Sequence, residues 1–324
     1  MGEPMKEFEM IRDYFKPLTM DRAEAGALLD DAAILDIPEG FDLVMSSDTL
    51  NGGVHFLADE DPAHIAHKCL RVNLSDMAAM GAKPYCYQLN LAFSNMPDAP
   101  WAKRFAETLL ADQKEFGIFC SGGDTTVIEG PLLISMTVTG LVPKGQAVKR
   151  SGAKVGDLVV VSGTIGDPYI GVQSLLGLVE LENAEYFHDA CHKPMPRTPI
   201  SLPVCQHANA CIDISDGLIA DLSHVCHASG VGAKLQADKV PISDEACALV
   251  DAGVFDVRNL LTGGDDYELG MAIAPSEFEA FEAAAKERGV DVHVIGEFVD
   301  GDLLEVFDKN GNELEFDRKG WTHF

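Results

Sequence analysis

Alternation of apolar and polar positions is clearest from Leu132 to Val142, where Ile134, Met136 and Val138 interleave with Ser135, Thr137 and Thr139. A period of two predicts a strand with one polar face. A helical period replaces it from Ala99 to Phe116, with Trp101, Phe105, Leu109 and Phe116 along one side, as in an amphipathic helix. Asp61-Pro62 is a helix start signal, acid at the cap and proline in the first turn, predicting a helix that carries Ile65, Cys69 and Val72 inward and leads into Asn73 to Ala82. Met1 to Tyr14 reads as a short helix with Phe8, Ile11 and Phe15 on one side, and Ala23 to Ala33 as a loop. Strands are predicted at Asp42 to Ser46, whose end delivers Ser47 and Asp48, at Tyr85 to Phe93, at Ile118 to Ser121 and at Leu158 to Ser162. Further on come helices at Ile170 to Leu178, Ile200 to His207, Leu218 to Ser229 and Pro275 to Arg288. Strands follow Gly263 to Leu269 and fill Val290 to Val299 and Leu303 to Phe307. The polar, basic, glycine-containing stretch Gly145 to Gly156 is the expected hinge, dividing an N-terminal domain, 1–147, from a C-terminal one, 148–324.

The polar punctuation repeats itself. V-N-L-S-D-M-A-A-M-G-A, from Val72 to Ala82, echoes C-I-D-I-S-D-G-L-I-A-D-L, from Cys211 to Leu222. In both, a Ser-Asp pair is expected where an extended or turn segment hands over to a helix, so Asp76 and Asp216 each also read as ordinary cap or first-turn carboxylates. More acidic knots lie at Asp30-Asp31, Ser46-Ser47-Asp48, Gly122-Gly123-Asp124-Thr125-Thr126 and Gly263-Gly264-Asp265-Asp266. If several converge, each pair of carboxylates about 4 Å apart repels by roughly 4 kcal/mol at an effective dielectric of ~20. Such a cluster needs cations, and hard oxygen ligands select Mg²⁺ or Mn²⁺, which commonly brings a polyphosphate with it. Read without that convergence, the Gly-Asp turn at 122–126 is ordinary, and Arg150 in K-R-S-G-A-K is either a phosphate ligand or a solvated side chain.

The net charge of −28 over 324 residues makes nucleic acid and anionic membrane surfaces poor partners. No leader pattern or membrane-length apolar run is apparent, so a cytoplasmic protein is expected. Eight scattered cysteines without a C-x-x-C pair read as reduced, mostly buried thiols. The clusters His188, Cys191, His192 and His224, Cys226, His227 do not match common zinc spacings. Neither a lysine-bearing phosphate loop, a dinucleotide G-x-G-x-x-G nor a protein-kinase set is present, so any ATP chemistry must rest on metals and dispersed carboxylates.

The ordered series D-D-A-A (Asp30 to Ala33), S-D-T-L with V-H-F (Ser47 to Phe56), V-N-L-S-D-M-A-A-M-G-A, G-G-D-T-T, R-S-G-A-K-V-G-D (Arg150 to Asp157), I-D-I-S-D-G-L, G-G-D-D-Y-E-L and terminal G-W-T-H-F resembles the thiamine-monophosphate kinases from about residue 8 onward. The resemblance implies the two-domain α/β fold shared with aminoimidazole ribonucleotide synthetase and selenophosphate synthetase. In that fold the N-terminal domain pairs with a second copy into a dimeric β-barrel, and a C-terminal α/β domain closes over the nucleotide. It implies that Asp31, Ser46, Ser47, Asp48, Asp76, Asp124 and Asp213 ligate magnesium, with a backbone contact from Gly123 and a further metal contact from Asp216. Arg150 and Ser215 would touch ATP, and His55, Asp265 and Trp321 the thiamine phosphate. Three departures stand out: Leu29 where the family has glycine, Asp265 where it has glutamate, and Asn51-Gly52 where it has an acid after D-T-L.

The reaction so implied moves the γ-phosphoryl group of ATP onto the phosphate of thiamine monophosphate, giving thiamine diphosphate and ADP. The acceptor is already an anion, so no general base is required. Several Mg²⁺ ions held by Asp48, Asp76, Asp124 and Asp213 would screen two polyanions brought in line. The alternatives are another ATP-dependent member of the superfamily and a non-catalytic cation-binding protein on the same scaffold.

Overall fold

The computed structural model describes residues 6–318 and 320. The chain divides into two compact units, Met1–Met77 with Lys83–Gly145, and Ala78–Ala82 with Gln146–Phe324.

The first unit is built on strands β1 (Phe41–Asn51), β2 (Lys83–Phe93), β3 (Phe119–Val127) and β4 (Leu133–Pro143), in the order β1-β4-β2-β3. β4 runs antiparallel to both neighbours and β2 runs parallel to β3. Its helices are the short α1 (Glu7–Met10), α2 (Pro62–Ala79) and α3 (Ala99–Phe116). The start of α2 is as the sequence signals, with Asp61 Oδ1 accepting the Ala63 N–H at 2.8 Å. Asp98 caps α3 through the Trp101 N–H, and Gly117 ends it in a left-handed conformation. One face of β4 carries Ile134, Met136 and Val138, all fully buried.

Arg71 of α2 is the largest fully buried side chain among the described residues. Its guanidinium grips Asp112 of α3 twice, at 2.9 and 2.7 Å, reaches Glu115 at 3.0 Å and lies 4.9 Å from the Phe116 ring centroid. His67 adds a third contact to Asp112 at 2.8 Å. Burial would raise the Asp112 carboxyl, but the hydrogen bonds from His67 and Arg71 outweigh it and hold the group below its ordinary value.

The second unit has a six-stranded sheet of β5 (Leu158–Ser162), β6 (Ala208–Ile214), β7 (Gly232–Gln236), β8 (Glu268–Ile273), β9 (Val292–Val299) and β10 (Leu304–Phe307), ordered β10-β7-β9-β5-β8-β6. Only β10 and β7 pair in parallel. Its helices are α4 (Asp167–Leu175), α5 (Ala184–His192), α6 (Ser201–His207), α7 (Leu218–Ser229), α8 (Asp244–Asp251), α9 (Val257–Leu261) and α10 (Phe278–Lys286). Both sheet faces are covered. Val159, Val161, Ile212 and Ala272 join one core with α7, while Val160, Cys211, Met271 and Ile273 join another with Val204 and Phe281. Burial on two faces is why β5 reads as a continuous apolar run rather than an alternating one.

Five expectations are corrected. Phe8 is 79% exposed rather than on an inward face, and the expected helix is one α-helical turn continued by a π-helical turn at Ile11–Phe15. The segment expected as a loop from Ala23 holds a kinked 3-10 turn at Ala23–Leu28. β1 does not stop at Ser46: the polar run to Asn51 pairs residue for residue with β4, which satisfies its backbone. Ser75-Asp76 is not at a helix start but inside α2, where Asn73 Nδ2 bonds back to the Cys69 carbonyl at 2.9 Å and lets a polar run continue as helix. Likewise Gly122 to Thr126 lies within β3 rather than after it. Elements without a strong pattern, α5, β7, α8 and α9, were not anticipated.

All eight cysteines are free thiols, six of them buried. Among the described residues no helix is long and apolar enough to cross a membrane.

Replacing Arg71 with methionine strands Asp112 in the core and should lower the unfolding free energy by about 3–5 kcal/mol in urea titrations, whereas Arg71→Met with Asp112→Leu should recover at least half of that loss. Equal losses in the single and double variants would show that the ion pair does not govern packing of α2 on α3.

Candidate functional site

In the first unit the acidic residues gather where α2 meets β1. Ser46 and Asp48, two apart on a strand, share a face, and that face meets α2. The Ser46 hydroxyl donates to Asp76 Oδ2 at 2.6 Å, and the Asp48 N–H donates to the Asn73 side-chain oxygen at 3.2 Å. Burial, reinforced by the charge of Asp76, pushes the Asp48 carboxyl up to about 6. Ser47 belongs to the opposite face: its hydroxyl donates to the Met136 carbonyl and lies 3.1 Å from the Thr137 hydroxyl. His55 is tied to its own loop, its Nδ1 accepting the Asn51 N–H at 3.0 Å.

Asp31 and Asp124 share a second location in this unit. Both line a cleft of about 270 Å³, with Gln88, Asn90, Gly123 and Thr125 also on its wall. Both acids are exposed, and Asp124 Oδ1 accepts the Thr125 N–H at 2.9 Å. Gly123, with φ of 155°, lies so near the β2 backbone that a Cβ there would overlap the Leu89 carbonyl. Only glycine allows β3 to approach β2 this closely at the step before Asp124.

The second unit brings Ser215, Asp216 and Asp265 together on two adjoining loops, and Asp213, the penultimate residue of β6, is buried just ahead of the first. The N–H groups of Ser215 and Asp216 both donate to Asp221 Oδ2, at 2.9 and 3.0 Å, from the first turn of α7. Burial pushes Asp221 up to about 7, against those two N–H groups; Asp216 adds to the rise and the Arg150 charge opposes it, so Arg150 acts on this same loop. The Asp265 N–H donates to the Ser215 carbonyl at 2.8 Å and the Tyr267 N–H to the Ile214 carbonyl at 2.7 Å. Asp265 and Tyr267 both adopt left-handed backbone, φ 67° and 52°, at a cost of about 1–2 kcal/mol each. Gly264 makes the approach possible, since a Cβ there would lie 2.5 Å from the Ser215 carbonyl. The Tyr267 hydroxyl donates to Asp265 Oδ1 at 3.0 Å. Trp321 lies outside the described residues; a Cβ on Gly320 would stand 2.6 Å from the Asp216 carbonyl, which puts Gly320 beside this loop.

Three supporting groups escaped the sequence reading. Asn73 holds the β1 backbone at Asp48, and Asp221 holds the 215–216 loop. Asp221 had a signal, a carboxylate in the first helical turn after S-D-G, where it can reach back to unpaired amides. Arg197, which grips the buried Glu268, had none, because its partner is far away in sequence.

Residues 29–142 match the AIR synthase related protein, N-terminal domain, and residues 154–309 match its C-terminal domain. The chain is 40% identical over 323 residues to the thiamine-monophosphate kinase of Caulobacter vibrioides, covering 99% of this chain and 91% of that one. The crystal structure of thiamine-monophosphate kinase from Stenotrophomonas maltophilia superposes with a TM-score of 0.84 at 35% identity, covering 96% of this chain and 99% of the other. A second solved relative, AaThiL complexed with AMPPCP and TMP, superposes over the full length of both chains with a TM-score of 0.77 at 29% identity. The chain belongs to the AIR synthase related family and, within it, to the thiamine-monophosphate kinases.

Because folding raises the Asp48 carboxyl above its ordinary value, the ionised group weakens the fold. The penalty is absent below about pH 4, grows as pH rises, and is complete above about pH 6. Without divalent cations, Asp48→Asn should therefore be more stable than the wild type by about 1–3 kcal/mol at pH 7.5 and equal to it at pH 4, as read by urea unfolding. A variant no more stable than wild type at pH 7.5 would rule out this repulsion.

Proposed function

We propose that this protein transfers the γ-phosphoryl group of ATP directly to the phosphate of thiamine monophosphate, in line and without a covalent enzyme intermediate. The observation that carries the reading is the full-length relationship to thiamine-monophosphate kinases, one of them solved with AMPPCP and TMP.

Both substrates are polyanions, and the chain itself carries a net charge of −28. Mg²⁺, several ions per site, would supply the positive charge that screens phosphate from phosphate and neutralises the leaving oxygen. The donor set suits it: oxygens of Ser46, Asp48 and Asp76 converge where β1 meets α2, and the raised Asp48 carboxyl marks a charge awaiting compensation. Asp31, Ser47, Asp124, Asp213 and Asp216, with the Gly123 backbone, are the remaining proposed ligands. Arg150 and Ser215 are proposed to hold ATP, the first through a guanidinium fork matched to phosphate. His55, Asp265 and Trp321 are proposed to hold the acceptor. Asp265 is one methylene shorter than the family's glutamate, and its left-handed backbone and hydrogen bond from Tyr267 bear on its reach.

The acceptor phosphate is nucleophilic as it stands, so the protein's tasks are to bind, to align and to exclude water. No side chain has to take a proton from it.

A homodimer closing a β-barrel forms part of the same proposal. The edge strand β1 leaves Phe41 42%, Leu43 42% and Met45 68% exposed on one face, a row that a second copy would cover. The cytoplasm, with its ATP and reducing poise, is the inferred location, consistent with free cysteines throughout.

Asp76→Asn and Asp124→Asn should each lower ADP formation from ATP, Mg²⁺ and thiamine monophosphate by 100-fold or more while keeping the wild-type circular dichroism spectrum; near-normal turnover in both would refute the ligand assignment. ³²P from labelled ATP should never be trapped on the chain during turnover, and labelled protein surviving denaturation would exclude direct transfer. Leu43→Glu with Met45→Glu should convert a dimer to a monomer in sedimentation equilibrium, and an unchanged mass would remove β1 from the interface.

A further inference from the structure

Residues 265 to 268 alternate between two environments. Asp265 and Tyr267 sit in left-handed backbone and are bonded to each other. Asp266 and Glu268 between and after them are buried, 7% and 4% exposed. The two buried carboxylates reach one neighbouring segment, Ser162 to Gly166. Asp266 Oδ1 accepts the Gly166 N–H at 2.7 Å, and Glu268 accepts the Ser162 hydroxyl at 2.5 Å while the Arg197 guanidinium grips it. On the other side the amides of Asp265 and Tyr267 are bonded to the carbonyls of Ser215 and Ile214. The segment is thus fastened twice, through its amides to the 214–215 loop and through its carboxylates to the 162–166 loop.

Asp266 has no part in the reaction proposed above, yet it is an expensive residue to bury. Its Oδ2 has no hydrogen-bond partner, and an unsatisfied buried oxygen calls for a reason. Burial, with Glu268, Asp167 and Asp265 nearby, holds its carboxyl well above the ordinary range against the single Gly166 N–H. A buried side chain whose one hydrogen bond is to the backbone N–H of a neighbouring loop acts as a strut. Without it, the 162–166 side would hold the segment only beyond the strained pair, through Glu268 and Ser162, and less would oppose relaxation of residues 265 and 267 to ordinary backbone, which would redirect their side chains.

We propose that Asp266 is a positioning residue for the acceptor: by taking the Gly166 N–H it fixes the backbone alternation on which Asp265 and Tyr267 are presented, and so sets affinity for thiamine monophosphate. This rests on the functional reading above, in which Asp265 meets the acceptor.

The test compares Asp266→Leu, which removes the acceptor oxygen, with Asp266→Asn, which keeps an acceptor oxygen in a side chain of the same shape. Two measurements on the full-length enzyme are needed: amide hydrogen exchange at Asp265 and Tyr267 without ligands, and KM for thiamine monophosphate and for ATP. In Asp266→Leu, exchange at both amides should quicken at least tenfold and KM for thiamine monophosphate should rise at least tenfold, with KM for ATP within twofold; Asp266→Asn should restore both. Should the leucine variant fail to fold, Asp266→Ala is read by the same criteria. Unchanged exchange, or a rise in both KM values together with a fall in kcat, would overturn the proposal. Wild-type enzyme that does not consume ATP with thiamine monophosphate would instead sink the functional reading, and the exchange measurement would still decide whether Asp266 fastens the loop.

Discussion

Mutual repulsion between ionised side chains held at fixed positions is the constraint on which the first unit turns. Ser46 and Asp48 on β1 meet Asp76 on α2, and the Asp48 carboxyl is raised to about 6 by burial and by its neighbour. Left alone, such a contact would push β1 and α2 apart. It is held by attachments that do not involve the acids themselves: the full antiparallel register of β1 with β4, the Asn73 side chain at the Asp48 amide, and the Arg71 clamp that fixes α2 to α3. The stability of the scaffold thus sustains an arrangement that is unfavourable without positive charge, the condition expected of a site that uses cations and anionic substrates rather than of a packing core.

A related tension exists in the second unit, in backbone rather than charge. Two non-glycine residues, Asp265 and Tyr267, occupy left-handed conformations within three positions. Their amides are bonded to Ile214 and Ser215 at the end of β6, and the neighbouring carboxylates each take one bond from Gly166 or Ser162 at the end of β5. Strain of this kind persists only where the surroundings over-determine it. The same loop after β6 is itself gathered by Asp221, whose carboxylate takes two consecutive amides. Two motifs some fifty positions apart in the chain therefore form one structural element, and neither would hold its shape without the other.

The buried ionisable groups fall into two kinds that composition cannot separate. Asp112 is held below its ordinary value by Arg71 and His67 and serves packing. Asp48 and Asp221 are raised, because burial is not offset by an adjacent cation. Both kinds are aspartates, and their sequence neighbours, Ser47 and Thr49 for Asp48, Ala111 and Gln113 for Asp112, do not sort them. The distinction lies in which partner the fold supplies.

The sequence alone determined the regular elements wherever a period was strong: α3, α7, β4 and β5 begin and end within a residue of where apolar spacing and caps put them, because those signals act over a few neighbouring positions. It also carried the family, through motifs spaced over the whole chain. Tertiary structure decided what local signals cannot carry. Ser46 to Asn51 is strand only because β4 pairs with it, and Ser75-Asp76 is helix only because Asn73 satisfies itself within α2 and the buried face of that helix is packed. The Ser-Asp echo thus conceals one mid-helix pair and one loop pair. Arg71 and Arg197 were invisible as structural cations, since each takes its meaning from an acid some forty or seventy positions away. Long-range pairing energies depend on geometry that only the folded chain creates, whereas periodicity and capping are written in neighbours.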